Sequence, residues 1–191
     1  MVRARFKQPQ IDETELNLIP AAPLWLIIVL ACALIAAAAE DAARYRISNV
    51  TTFVVFAGAI CAAIIEGPTW ALWQNGAVFV ALMVLGTGAF SAGWLGGGDV
   101  KLLAATALWL DFDSAVWLMI LVMLAGGVVA IAYLVSRPLR RRGGNGKIKG
   151  TRVPYGLAIA FGALAIIAID RGALLHQTPK QSAASLQRYH S

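Results

Sequence analysis

The sequence predicts an all-α, polytopic membrane bundle of about six transmembrane helices, and three observations carry that prediction. The chain has 191 residues, of which 59% are hydrophobic and only 14% charged. Its mean hydropathy is +0.71, outside the range of a soluble domain. Apolar runs recur along it, most of them near the roughly 20 residues a helix needs to cross the hydrocarbon layer. The charges collect between the runs: seven of the 16 Lys and Arg lie from Arg137 to Arg152. That pattern fits a cytoplasmic loop at an anionic leaflet and argues against a nucleic-acid partner. Lipid is the expected contact.

Residues 1–20 read as a polar N-terminal leader, 21–170 as the membrane-embedded domain and 171–191 as a polar C-terminal tail. Arg3, Arg5 and Lys7, followed by an apolar run and "ALIAAAAED", imitate a secretory signal. The acidic residues Asp12, Glu13 and Glu15 inside the leader, and the membrane segments that follow, favour a retained first helix. The runs cover Ala21 to Ala39, Val50 to Ile65, Trp70 to Ala92, Val100 to Leu110, Ala115 to Val135 and Val153 to Ile169. The fourth has 11 residues before Asp111, so it must borrow length from its neighbours or insert only in part. Cys32 and Cys61 sit inside apolar runs without a Cys-x-x-Cys pair and read as packing residues.

Sidedness follows from charge. "ARYRISN" and the basic stretch at Arg137 to Arg152 both read as cytoplasmic, so an even number of crossings separates them. Four satisfies this, the short run included. The outer turns then hold Glu66, Asp111 and Asp113, and both termini lie outside the cytoplasm.

With that topology Asp41, at the end of the first helix, and Asp99, at the start of the fourth, share the cytoplasmic side. Ionisable groups at membrane depth are costly and usually serve a purpose. A bland reading makes Asp99 the N-cap of a helix beginning at Val100. Asp41 stands at the unfavourable end of a helix dipole, where Arg44 and Arg46 could neutralise it. Asp111 and Asp113 read as caps of the following helix, and Glu40 and Asp170 as interfacial groups without a role. Gly96, Gly97 and Gly98 each cost a helix about 1 kcal/mol relative to alanine. They mark a break beside Asp99 where backbone can approach closely, which suits a protease holding an extended substrate. Two neighbouring carboxylates can share a proton, one activating water and the other polarising the scissile carbonyl. That chemistry calls for no metal and no cofactor.

These residues resemble the bacterial prepilin peptidases, membrane aspartic proteases of the Gly-x-Gly-Asp type. "DAARYRISN" matches the family's first motif, with Asn49 eight positions after Asp41; this selects Asp41 over Glu40. Gly96, Gly97, Gly98, Asp99, Val100 and Lys101 match the second, and "VPYGLAIA" from Val153 is similar to the family's Pro-Tyr-Gly stretch. The resemblance runs from about Leu24 to Ile169. Ser48 departs from it, standing where the family usually has proline. The cysteine-bearing insert of longer, N-methylating members has no counterpart, so the chain is most similar to the short, peptidase-only branch associated with Flp or tight-adherence pili. The resemblance implies Asp41 and Asp99 as the catalytic pair. It places Gly96, Gly97, Gly98, Lys101 and Asn49 along the substrate's approach. It further implies an inner-membrane location, an active site facing the cytoplasm, and prepilin or pseudopilin helices as partners. Two rival readings are a small ion- or proton-coupled transporter, which wants carboxylates nearer mid-membrane and a repeat, and a structural subunit, which leaves the glycines unexplained.

Overall fold

The computed structural model describes residues 17–67, 69–141 and 155–189, and among these it is all helical. Seven helices follow in order: α1 (Leu18–Ala21), α2 (Leu24–Arg44), α3 (Asn49–Glu66), α4 (Leu72–Ser91), α5 (Gly97–Ala107), α6 (Phe112–Arg141) and α7 (Tyr155–Tyr189). Five of them, α2, α3, α4, the part of α6 up to Ala132 and the part of α7 up to Gly172, are long and apolar enough to cross a membrane. The polytopic bundle expected from the sequence is therefore present. Most of the basic stretch from Arg137 to Arg152, the residues Val153 and Pro154, and the leader up to Leu16 lie outside the described residues.

The ends of the helices follow local chemistry. Ser48 caps α3, its hydroxyl accepting from the Val50 amide at 3.1 Å. Asp111 opens α6 in the same way, accepting from the Ser114 amide at 3.2 Å, as the turn "LDFDS" suggests. Helix α2 runs beyond Ala39 and takes Glu40 and Asp41 into its last turns. It stops at Tyr45, whose φ of 53° is left-handed and whose N–H returns to the Asp41 carbonyl.

Contacts along the helices give their directions. Asn75 at the start of α4 meets Leu108 and Leu110 after α5, while Phe90 near its end lies over Gly97, so α4 and α5 are antiparallel. Asn49 meets Lys101 and Val55 meets Trp109, so α3 and α5 are parallel. Gly126 packs on Tyr155 and Gly162 on Leu121 and Val122, so α6 and α7 are antiparallel. The loop after Asp41, the start of α5 and the start of α7 thus share one end of the bundle. Asn17, Leu110, Ser114 and Asp170 share the other.

The short fourth run is α5, and its surroundings explain its length. Every residue from Leu102 to Ala107 is buried, packed by α3, α4 and α7. A helix enclosed by other helices does not need a lipid-length apolar surface. Asn75 donates to the Leu108 and Leu110 carbonyls at 3.2 and 2.9 Å, satisfying groups that the helix end leaves open. Trp109 is buried and donates from Nε1 to the Val55 carbonyl at 3.0 Å, its ring lying against Gly58. Buried alanines such as Ala33, Ala37, Ala59, Ala104 and Ala163 let the helices approach closely. Large apolar residues such as Ile28, Ile64, Val84 and Met123 face outward, as lipid requires. Cys61 packs against the core as expected. Cys32 is exposed and contributes to the outer face instead.

At the far end the chain from Asn17 is already part of the bundle. Leu18 and Ile19 are buried, and the Leu18 amide donates to the Trp109 carbonyl at 2.9 Å. Asn17 donates from Nδ2 to Asp170 and Ser114 at 2.8 and 3.1 Å. Asp170, read from the sequence as an interfacial group without a role, anchors this segment. Packing thus begins before the boundary expected at residue 21, because Leu18 and Ile19 carry apolar surface that the bundle covers. Helix α7 continues through the tail as far as Tyr189.

Candidate active site

Asp41 is 5% exposed in the last turns of α2, where carbonyl dipoles oppose a negative charge. The neutralising partner expected from the sequence was arginine, but Arg44 and Arg46 are exposed. The carboxylate instead accepts from the Gly156 amide at 2.7 Å, in the first turn of α7. A helix start presents its open amides to an anion, so α7 supplies what the end of α2 denies. The glycine is needed for the approach: a Cβ there would lie 2.9 Å from Asp41 Oδ2 and 2.8 Å from Ile47 Cδ1. The sequence showed Gly156 only as part of "VPYG"; its contact with Asp41 could not be read from spacing.

Asp99 is 9% exposed. It is not the N-cap of a helix starting at Val100. Helix α5 begins at Gly97, Gly96 is the cap, and Asp99 reaches back to accept from the Gly96 amide at 3.1 Å. This is half of a capping box. The break expected at Gly96 to Gly98 lies earlier, from Ala92 to Gly96, with Gly93 at a φ of 77°. Gly97 and Gly98 are helical. Their small size serves approach, since a Cβ on Gly98 would lie 3.2 Å from Ile47 Cβ and one on Gly97 3.4 Å from the Phe90 ring.

The two aspartates come together here. Ile47 lies over Gly98, next to Asp99, and over Gly156, which binds Asp41. Asp99 stands outside the five long apolar spans. Burial pushes its carboxyl up to about 6, the negative charge of Asp41 adds to the rise, and the Gly96 amide opposes it. Two carboxyl groups that feel each other titrate as a pair. Among the described residues, no three of His, Cys, Asp and Glu converge as a metal-ligand set.

The remaining motif residues lie alongside. Lys101 and Asn49 are exposed and meet at 3.5 Å across α5 and α3. They head a groove of about 270 Å³ that continues over Thr52, Phe56, Phe79, Met83 and Ala105, its floor the small Ala105 of α5. Glu40, an interfacial group without a role on sequence alone, accepts from the Ser48 amide at 2.8 Å and from the Thr51 hydroxyl at 3.2 Å. Its position beside Asp41 was the available signal.

No curated protein and no solved structure matches the chain. The family model of the type IV leader peptidases matches residues 28–131, a stretch that holds both aspartates and covers more than half of the chain. With that match over a polytopic helical bundle, the chain belongs to the type IV leader peptidase family.

Proposed function

We propose that this peptidase is an aspartic endopeptidase of the inner membrane, cutting the short leader from prepilins or pseudopilins at the cytoplasmic face. The observation that carries this reading is the convergence of Asp41 and Asp99 at one end of the bundle, from α2 and α5, with the Asp41 charge felt at Asp99.

In the proposed reaction Asp41, oriented by the 2.7 Å hydrogen bond it accepts from the Gly156 amide, serves as the base. It takes a proton from a water molecule whose oxygen attacks the scissile carbonyl carbon. Asp99 holds its proton up to about pH 6 and donates it to the carbonyl oxygen. The tetrahedral carbon then collapses: the C–N bond breaks, the leaving amine takes the proton gained by Asp41, and Asp99 recovers its own from the hydroxyl. The groove below Asn49 and Lys101 is the proposed seat of the substrate's apolar helix. Lys101 at its mouth belongs to α5, the helix that carries Asp99, and its apolar floor opens between the two membrane-length helices α3 and α4.

The short, peptidase-only branch associated with Flp pili is the proposed place of this chain in its family, and no N-methylation is expected of it. Co-expression with a pilin precursor from the same genome, followed by mass determination of the pilin N-terminus, tests both points. The expected product is a shortened, unmethylated pilin. An uncut precursor would contradict the peptidase reading, and a methyl group added by this chain alone would contradict the branch.

A further inference from the structure

Beside the two candidate carboxylates runs the four-residue connection from Tyr45 to Ser48, and it is held from both sides. At its start Tyr45 turns left-handed and returns its N–H to the Asp41 carbonyl at 2.8 Å. At its end the Ser48 amide is bound at 2.8 Å by the Glu40 carboxylate, which also accepts from the Thr51 hydroxyl. Glu40 therefore spans from the turn that carries Asp41 to the first turn of α3. Between these fixed points Ile47 projects onto two glycines. It lies so close to Gly98 that a Cβ there would sit 3.2 Å from Ile47 Cβ, and so close to Gly156 that one would sit 2.8 Å from Ile47 Cδ1. Gly98 adjoins Asp99, and Gly156 holds Asp41.

We propose that Glu40 is a positioning residue for the reaction: by tying down the exit of this connection it sets Ile47 as a spacer between the starts of α5 and α7, and so fixes the separation of the Asp41 and Asp99 carboxylates. The bonds to Ser48 and Thr51 are those of a charged acceptor, stronger than neutral ones. Ile47 is partly buried and packed against the core, and its contacts with the two glycine backbones leave it little room to shift on that side. The spacing matters because displacing a catalytic group by about 1 Å can cost on the order of a hundredfold in rate. Glu40 touches neither substrate nor the reacting atoms in this scheme; it acts through Ile47.

The inference rests on the peptidase reading for its consequence in rate, and its geometry can be tested apart from that reading. In a chain with Cys32 and Cys61 replaced by alanine, Asp41→Cys and Asp99→Cys are bridged with a short bis-methanethiosulfonate in native membranes. Adding Glu40→Ala is expected to slow bridging of the inserted, folded protein about tenfold, and Glu40→Gln, which keeps an oxygen for the Ser48 amide, less than about threefold. Ile47→Ala, which leaves the Glu40 bonds in place, is expected to match Glu40→Ala and serves where that variant fails to insert. In the chain with both aspartates intact, Glu40→Ala is expected to lower kcat per folded molecule at least about tenfold with KM for a purified pilin precursor within about twofold, and Glu40→Gln to restore most of it. A role confined to stability would lower the amount of folded protein and leave bridging and kcat per folded molecule unchanged, and that result would overturn the proposal. Slower bridging with unchanged kcat would overturn it as well. Failure of the unaltered chain to cut the precursor would contradict the peptidase reading, while the bridging rates would still decide the spacing.

Discussion

Asp99 carries a visible energetic cost. Its carboxyl is moved from an ordinary 3.8 to about 6, first by burial and then by Asp41, which sets roughly 3 kcal/mol against its charged form. A carboxyl whose folded value is raised opposes folding in full above that value, and the opposition vanishes below the unfolded value. Asp99→Asn should therefore stabilise the protein in detergent by about 1–2 kcal/mol at about pH 7.5, the Gly96 hydrogen bond offsetting part of the gain. The advantage should shrink as pH falls through about 6 and disappear below about 4, as denaturant unfolding at several pH values would show. An advantage that grows toward acid would contradict the burial of this group. On the activity side, cleavage should weaken as pH rises beyond the region of about 6, where the pair loses its shared proton. Gly156 gives a steric counterpart. Gly156→Ala sets a methyl 2.9 Å from Asp41 Oδ2 and 2.8 Å from Ile47 Cδ1, so one of them must move. Cleavage should fall at least about tenfold with insertion retained. Immunoblots of pilin processing in membranes with equal amounts of peptidase would measure it.

The connection from α2 to α3 is the element where sequence and geometry pull in different directions. Ser48 stands where the resembled family usually has proline, and its φ of −67° is one that proline adopts. On backbone angle alone Ser48→Pro looks tolerable and would stiffen the unfolded chain by about 0.4–1 kcal/mol. The Ser48 N–H, however, donates to Glu40, and its hydroxyl caps α3. Losing a bond to a charged acceptor costs roughly 1.5–3 kcal/mol and losing a cap about 1 kcal/mol. The expected outcome is a net loss of about 2 kcal/mol, read by unfolding in detergent, and a variant as stable as the parent would show that Glu40 contributes little here. The elements themselves were largely legible, because lipid imposes a simple rule on apolar length. Five runs became five membrane-length spans with ends shifted by a few residues; at α2 alanines carry the helix on through Glu40 and Asp41, and α7 continues beyond its span to Tyr189. Helix α5 was the hard case. Its 11 residues look too few for a crossing until α3, α4 and α7 are seen to enclose it, and burial by other helices leaves no local signature. Asn75 and Trp109, which secure its far end, were invisible for the same reason: their partners are distant in sequence.

Across the whole molecule, helices alternating in direction gather Asp41, Ile47, Asp99 and Gly156 at one end and Asn17, Ser114 and Asp170 at the other. Spaced motifs were enough to nominate the two aspartates. The locking groups, Glu40 and Gly156, needed the fold, because neither hydrogen bond follows from a periodicity. The arrangement makes a topological prediction. Arg46→Cys, exposed at the Asp41 end, should resist a membrane-impermeant thiol reagent in intact spheroplasts, and Asp113→Cys, exposed at the far end, should react. The opposite pattern would invert the proposed orientation. Whether Asp41 and Asp99 act as one unit is measured most directly by pilin precursor cleavage by Asp41→Asn, Asp99→Asn and the double variant, each present in the membrane at the level of the parent. Each single change should abolish cleavage, and the double should be no worse than either, since groups that act together are strongly non-additive. Processing at near the parent's rate by either single asparagine variant would contradict it.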